Sequence, residues 1–176
     1  MKSTILRFGL FSAGLITAWF IVYWGILGVR LTPENCDEGE VLGWLSIVVS
    51  LSFVYFGIRY YRDRVNHHTI TFGRALGLGL LISLFPAVVF GLLDLFYSAF
   101  IDPHFIDTWA NIQVAKLRSS TPAAEYPQKL KELKTQMEMF KNPFLGWLVM
   151  FFTVVPVGLI ISVISALILK KKPAAN

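Results

Sequence analysis

Charged residues divide this chain into long apolar runs. Between Arg7 and Arg30 the stretch Phe8 to Val29 contains neither a charge nor a proline. A second uncharged run extends from Val41 to Ile58, with Trp44 and Tyr55 near its ends, where amphipathic rings favour the headgroup level. A third begins at Ala75, is uncharged to Leu93, passes Asp94 and stays largely apolar through Ile101. The fourth and longest, Asn142 to Leu169, carries Trp147 near its start as an anchor and ends in Lys170, Lys171 and Lys172. Each run is close to or above the roughly 20 helical residues that cross a bilayer, and unpaired backbone groups in hydrocarbon are costly enough to leave only helices or a closed barrel. Barrel strands would alternate in segments of about ten residues, which is not the pattern here. The pattern predicts an all-α fold: a four-span transmembrane helical bundle, residues 1–176 as one membrane domain, with spans at about residues 5–29, 41–58, 72–101 and 143–169. Lys2 and Arg7 before an apolar run also fit a signal peptide, but the run is longer than an ordinary signal h-region and no clean cleavage site follows, so an uncleaved first span is expected.

Residues 102–141, between the third and fourth spans, show helical rather than loop periodicity. Asp102 and Pro103 suit a helix start, followed by the apolar face Phe105, Trp109 and Ile112 and by Lys116 and Arg118 at the C-terminal end. Ser119, Ser120, Thr121 and Pro122 break that helix. A second starts near Glu125 or Pro127 and carries Leu130, Leu133, Met137 and Phe140 on one stripe, with Lys134 and Glu138 placed to pair on its polar side. The two predict an extramembrane amphipathic helical hairpin. It either packs on itself, lies on the membrane, or offers its stripe to a second copy or another partner.

Composition agrees with the pattern, since 55% hydrophobic against 15% charged is far from the roughly one-quarter charged of a soluble domain. The charges also predict orientation. On the side of the two termini stand nine basic residues against one acid, Asp63; on the other side seven basic residues meet nine acids. The excess of Lys and Arg is expected on the cytoplasmic side, which puts both termini in the cytoplasm and the hairpin outside. The net charge of +5 is thereby accounted for without a nucleic-acid partner. Arg59, Arg62 and Arg64, with Lys170 to Lys172, are placed to attract anionic lipid headgroups, at about 1 kcal/mol per residue.

Candidate chemistry is sparse. Asp94 is the one carboxylate at membrane depth, a functional candidate by default; its readings are an interfacial group reached by water, a structural partner, or a proton or substrate site, with Tyr97 three residues on. Pro86 and Pro156 each remove one intrahelical hydrogen bond, as ordinary membrane prolines or as paired kinks around a cavity. Gly73 and Gly77, continued by Gly79 and Ser83, and the series Gly158, Ser162 and Ala166 form small-residue faces that pack within the chain or against another copy. The acids around Cys36 match no calcium loop, His67 and His68 lack a third ligand, and a single cysteine excludes an internal disulfide. No phosphate loop, CxxC or nucleophile-elbow grouping occurs, so neither cofactor nor metal is expected, and the chain is not read as an enzyme.

Several segments carry a resemblance. These are YRD at Tyr61–Asp63, ITFGRALGLGLLIS at Ile70–Ser83, IDPHF at Ile101–Phe105, MEMFKNPF at Met137–Phe144 and FTVVPVGLIISVISALILKKK at Phe152–Lys172. Together they resemble the DUF4199 family of bacterial membrane proteins, found mainly in Bacteroidetes, over nearly the whole chain. The resemblance implies four spans with a helical insertion before the last, in a bacterial inner membrane, and brings no assigned catalytic or binding residue. The expected function is a non-enzymatic structural, accessory or regulatory role through the hairpin or self-association. The alternative is a small oligomeric transporter or channel.

Overall fold

A computed structural model describes residues 1–171. It is all-α: α1 Lys2–Phe20, α2 Cys36–Tyr60, α3 Phe72–Phe96, α4 Phe105–Ser120, α5 Tyr126–Lys141 and α6 Pro143–Leu169. Three helices continue into π-helical turns, Ile21–Ile26 after α1, Tyr61–Val65 after α2 and Tyr97–Ile101 after α3. With these turns included, α1, α2, α3 and α6 are 25, 30, 30 and 27 residues long and apolar enough to cross a membrane. At about 1.5 Å per residue each exceeds the roughly 30 Å hydrocarbon core. The extra helices α4 and α5 lie between the third and fourth of these.

Two helices differ in extent from the uncharged runs in the sequence. The sequence places the first span at 5–29, but α1 and its π-helical turn occupy Lys2–Ile26. It stops because Gly28 adopts the left-handed conformation at φ 60° that commonly closes helices. The sequence places the second at 41–58, whereas the helix runs Cys36–Val65. The helix extends past the uncharged run at both ends, because Asp37 and Glu38 sit in the first turn and Arg59 in the last of α2, where the helix dipole favours those signs. The other two long apolar helices run Phe72–Ile101 and Pro143–Leu169. Asn142 caps α6, accepting from Phe144 N at 3.0 Å and Leu145 N at 3.2 Å.

Lipid is as apolar as leucine, so helices within it associate through close packing and hydrogen bonds rather than hydrophobic burial. The α3–α6 crossing is built on that logic. Gly79 and Ser83 on α3 face Ser162 and Gly158 on α6, so near that a Cβ built on Gly158 would stand 2.7 Å from Ser83 Cβ. The Ser162 hydroxyl is buried against Gly79 without a hydrogen-bond partner. A Cβ on Gly57 would meet Ile82 at 2.5 Å, which brings α2 into the same core. Ile16, Leu51, Val54, Ile82 and Val154, all 0% exposed, fill the centre. Between α1 and α2, Ser12 and Ser50 each donate to the other's backbone carbonyl at 2.7 Å. Leu10, Phe56, Leu92, Phe152, Ile160 and Ile164 stay exposed on the outer faces, as lipid contact requires.

The face that carries the termini is tied by the loop between α2 and α3. Arg62 forks onto Asp63 at 2.6 and 3.1 Å and reaches the Leu169 carbonyl at 3.4 Å, at the C-terminal end of α6. Ile70 and Lys171 exchange backbone hydrogen bonds at 2.9 Å. His67 and His68 stand at φ 49° and 60°, a left-handed region unfavourable for side chains with a Cβ. That turn is held by His68 N donating to the Arg62 carbonyl at 2.9 Å and by Asn66 donating to the Thr69 carbonyl at 2.6 Å. Both histidines therefore serve as exposed turn residues. Of the predicted headgroup arginines, Arg62 is engaged internally, Arg59 lies 3.8 Å from Asp63 and Arg64 is exposed; Lys172 lies outside the described residues.

Candidate functional site

At the opposite face, which carries the hairpin, all four spans and α4 surround a cavity of about 490 Å³. α1 supplies Tyr23 and Trp24 from its π-helical turn, α2 supplies Trp44 and Ile47, α3 supplies Phe90 and Asp94, and α6 supplies Met150 and Thr153. Phe105, Ile106, Trp109 and Gln113 of α4 form the roof, and Phe140 closes it from the end of α5. Arg30, Asn35, Cys36 and Glu40 make the rim between α1 and α2.

Local sequence explains why the walls stand where they do. π-Helical turns recur at functional sites because the extra residue per turn redirects side chains, and here two of them meet. Trp24 from the first stacks on Tyr97 from the second with ring centroids 4.0 Å apart, and Phe105 stands edge-on to Tyr97 at 5.2 Å. Phe20 meets Trp24 edge-on at 3.9 Å. In the loop before α2, Asn35 accepts from Thr32 N at 2.8 Å and donates to the Arg30 carbonyl at 2.8 Å, which fixes the rim.

Ionic contacts fasten the roof. Arg30 faces Asp102 at 3.7 Å, and Lys116 of α4 pairs with Asp37 at the start of α2. The hydrogen bond that the Lys116 ammonium donates to the Asp37 carboxylate holds that lysine above its usual range. A raised cation contributes fully below the ordinary lysine value and loses that contribution as pH rises through the raised one, so this fastening is intact at neutral pH. Trp109 and Phe140 meet at 6.0 Å across the two hairpin helices. α4 starts at Phe105 rather than at Asp102, because the Asp102 side chain accepts from His104 N at 3.2 Å and holds a turn before the helix. Glu138 pairs with Lys141 at 2.8 Å, not with Lys134 as the spacing suggests.

Asp94 is partly buried in the cavity wall and makes neither a hydrogen bond nor an ion pair with another side chain among the described residues. Thr153, by contrast, is satisfied by the Val149 carbonyl at 3.0 Å. Among the described residues no three His, Cys, Asp or Glu side chains converge as metal ligands.

A family described as "Protein of unknown function (DUF4199)" matches residues 7–171. This chain belongs to the DUF4199 family. It is thus a bacterial multi-span membrane protein, as four long apolar helices and the family match together indicate. No curated protein and no solved structure matches it.

In this DUF4199 chain the predicted candidates separate into groups. Asp94 faces the cavity, while Tyr97 is buried just beside it in the aromatic cluster. Neither proline lines the cavity: Pro86 is buried within the bundle and Pro156 faces outward. Gly158, Ser162 and Ala166 are buried, with Gly158 and Ser162 set against α3 inside the chain, whereas nothing lies within 4 Å of a Cβ built on Gly73 or Gly77. Leu130, Leu133, Met137 and Phe140 are half-buried, with α5 lying against α4. Trp147, placed near the start of α6, packs on Gly91, its indole donating to the Val88 carbonyl at 3.3 Å. Sequence reasoning missed Trp24, Phe90 and Trp109 as cavity walls. The available signal was the concentration of aromatic residues toward the hairpin ends of the spans.

Proposed function

We propose that this protein sits in the bacterial cytoplasmic membrane with both termini inside, and acts by binding rather than by chemistry. Its role is accessory or regulatory, exerted through an extracytoplasmic hairpin that roofs a ligand cavity. The cavity carries the reading. Ligand sites are concave, largely apolar, about 300–1,000 Å³ in volume, and furnished with a few placed polar groups; this one has about 490 Å³, aromatic walls and Asp94. Below it the bundle closes over the fully buried Ile16, Leu51, Val54 and Val154, so a conducting role would need further copies to complete a path. Arg64 and Arg74, both exposed on the terminal face, are the groups best placed to meet anionic headgroups.

Two measurements test this. Native mass spectrometry of the protein extracted into dodecyl maltoside is expected to find a small molecule or lipid retained on the wild type and lost from Trp109→Ala, which opens the roof. A wild type that sheds everything as readily as the variant overturns the binding role, and the same spectrum reads the number of copies. Orientation is read in a Cys36→Ser background with Ser119→Cys on the hairpin or Ser3→Cys near the N-terminus, both exposed positions. In intact spheroplasts a membrane-impermeant maleimide is expected to label Ser119→Cys only, with Ser3→Cys reacting after permeabilisation. The reverse pattern overturns the orientation.

A further inference from the structure

We infer that the cavity selects a lipophilic organic cation, with Asp94 as its counter-ion; this rests on the ligand-binding reading above. The first argument is charge. Three ionisable side chains of fixed sign line the cavity, Arg30, Glu40 and Asp94. Arg30 is shared with Asp102 at 3.7 Å, while Glu40 and Asp94 pair with no cation among the described residues. Arg30 and Glu40 stand exposed on the rim, so among the described lining residues Asp94 is the charged group of the interior, and a carboxylate at membrane depth without a partner is costly until a cation arrives. An anionic ligand would meet that carboxylate inside and, at the rim, one carboxylate and one compromised guanidinium.

The second argument is the wall. Trp24, Trp44, Trp109, Tyr23 and Phe90 surround the same space. Aromatic faces attract cations, most strongly tryptophan, and a desolvated cation–π contact is worth about 2 kcal/mol. Aromatic surface alone would accept any apolar guest, and a carboxylate alone would accept any cation, including a hydrated metal ion. Their combination in one cavity of drug-like size favours a guest that joins a cationic group to an apolar body. Such a cation has two sources, a free amphiphile or the ammonium headgroup of a membrane lipid, and the chemistry recognised is the same.

The test uses a pair of ions alike in shape and opposite in sign, tetraphenylphosphonium and tetraphenylborate, titrated by equilibrium dialysis against the full chain in dodecyl maltoside, which carries no amine. Saturable binding of the cation is expected, with much weaker binding of the anion. Asp94→Asn is expected to weaken the cation by about tenfold or more, and Trp44→Leu to weaken it severalfold. Asp94 has no side-chain partner to lose, so an unchanged unfolding temperature is expected to accompany the loss. Displacement of the bound cation by added phosphatidylethanolamine but not by phosphatidylglycerol identifies the lipid headgroup as the source. Failure of either lipid to displace it identifies a free cation, and both results support the inference. Equal binding of the two ions, unaffected by Asp94→Asn but reduced by Trp44→Leu, overturns cation selection and leaves the cavity as a binding site. Saturable binding of neither ion overturns both readings.

Discussion

Gly158→Leu is expected to abolish the folded bundle, or to lower its unfolding temperature more than any other single change at the α3–α6 crossing, while Gly77→Leu leaves it intact. An ideal Cβ at Gly158 lies 2.7 Å from Ser83 Cβ and 2.8 Å from Ser83 Oγ. The obstacle is a Cβ fixed to the α3 backbone, so no rotamer change relieves it and the helices themselves must part. Overpacking of a tight interior costs about 1–3 kcal/mol for modest insertions, and here separation also removes the second close approach, where a Cβ on Gly79 would stand 2.8 Å from Ser162 Oγ. At Gly77 nothing lies within 4 Å, and a leucine there meets lipid. Unfolding temperatures of the two variants in the same detergent check the contrast. A loss at Gly77 equal to that at Gly158 would place a second copy of the chain against that face.

The contrast between these two glycines also marks what the sequence can say. Runs of uncharged residues set by Arg7, Arg30, Glu40, Arg59, Arg74 and Lys170 reveal four spans, because the cost of a charge in hydrocarbon is a one-dimensional property of the chain. The start of α6 is legible as a residue number, 143, though the capping role of Asn142 emerges only from the structure. Which small residues face a neighbour is not, since Gly73 and Gly77 have the same spacing as Gly158 and Ser162 but open outward. Helix rotation decides that, and periodicity is weak where both faces of a helix are apolar. The cavity was still less legible. Its walls come from every span and from α4, and the π-helical turns that aim Trp24 and bury Tyr97 have no simple sequence signature. Asp94 stood out from the sequence because it is charged; the aromatic residues around it did not, because aromatic residues near span ends ordinarily mark the interface.

Ser50→Leu is expected to push α1 away from α2 and lower the unfolding temperature, whereas Ser12→Ala with Ser50→Ala weakens the contact far less. Ser12 and Ser50 are both 0% exposed, with their Oγ atoms 2.9 Å apart, so the two helix backbones approach as closely as serine allows. Leucine at 50 adds bulk where α1 already stands and removes the bond that the Ser50 hydroxyl donates to the Ser12 carbonyl. Thr4, Gly9, Ser12, Ala13 and Ile16 are the buried residues of α1, and besides α2 what holds it is its packing on α3, where Gly9 lies against the Phe85 ring. The alanine pair keeps the close approach. Interhelical hydrogen bonds in membranes average about 0.6 kcal/mol and reach about 1.7, so losing both is expected to weaken the bundle by about 1–3 kcal/mol. Each hydroxyl donates to a backbone carbonyl that survives the partner's substitution, so the two single alanine changes are expected to add nearly without coupling. Unfolding of the four-member cycle measures this directly. Strong coupling would move the energy of the contact from the two carbonyl bonds to the hydroxyl pair between them.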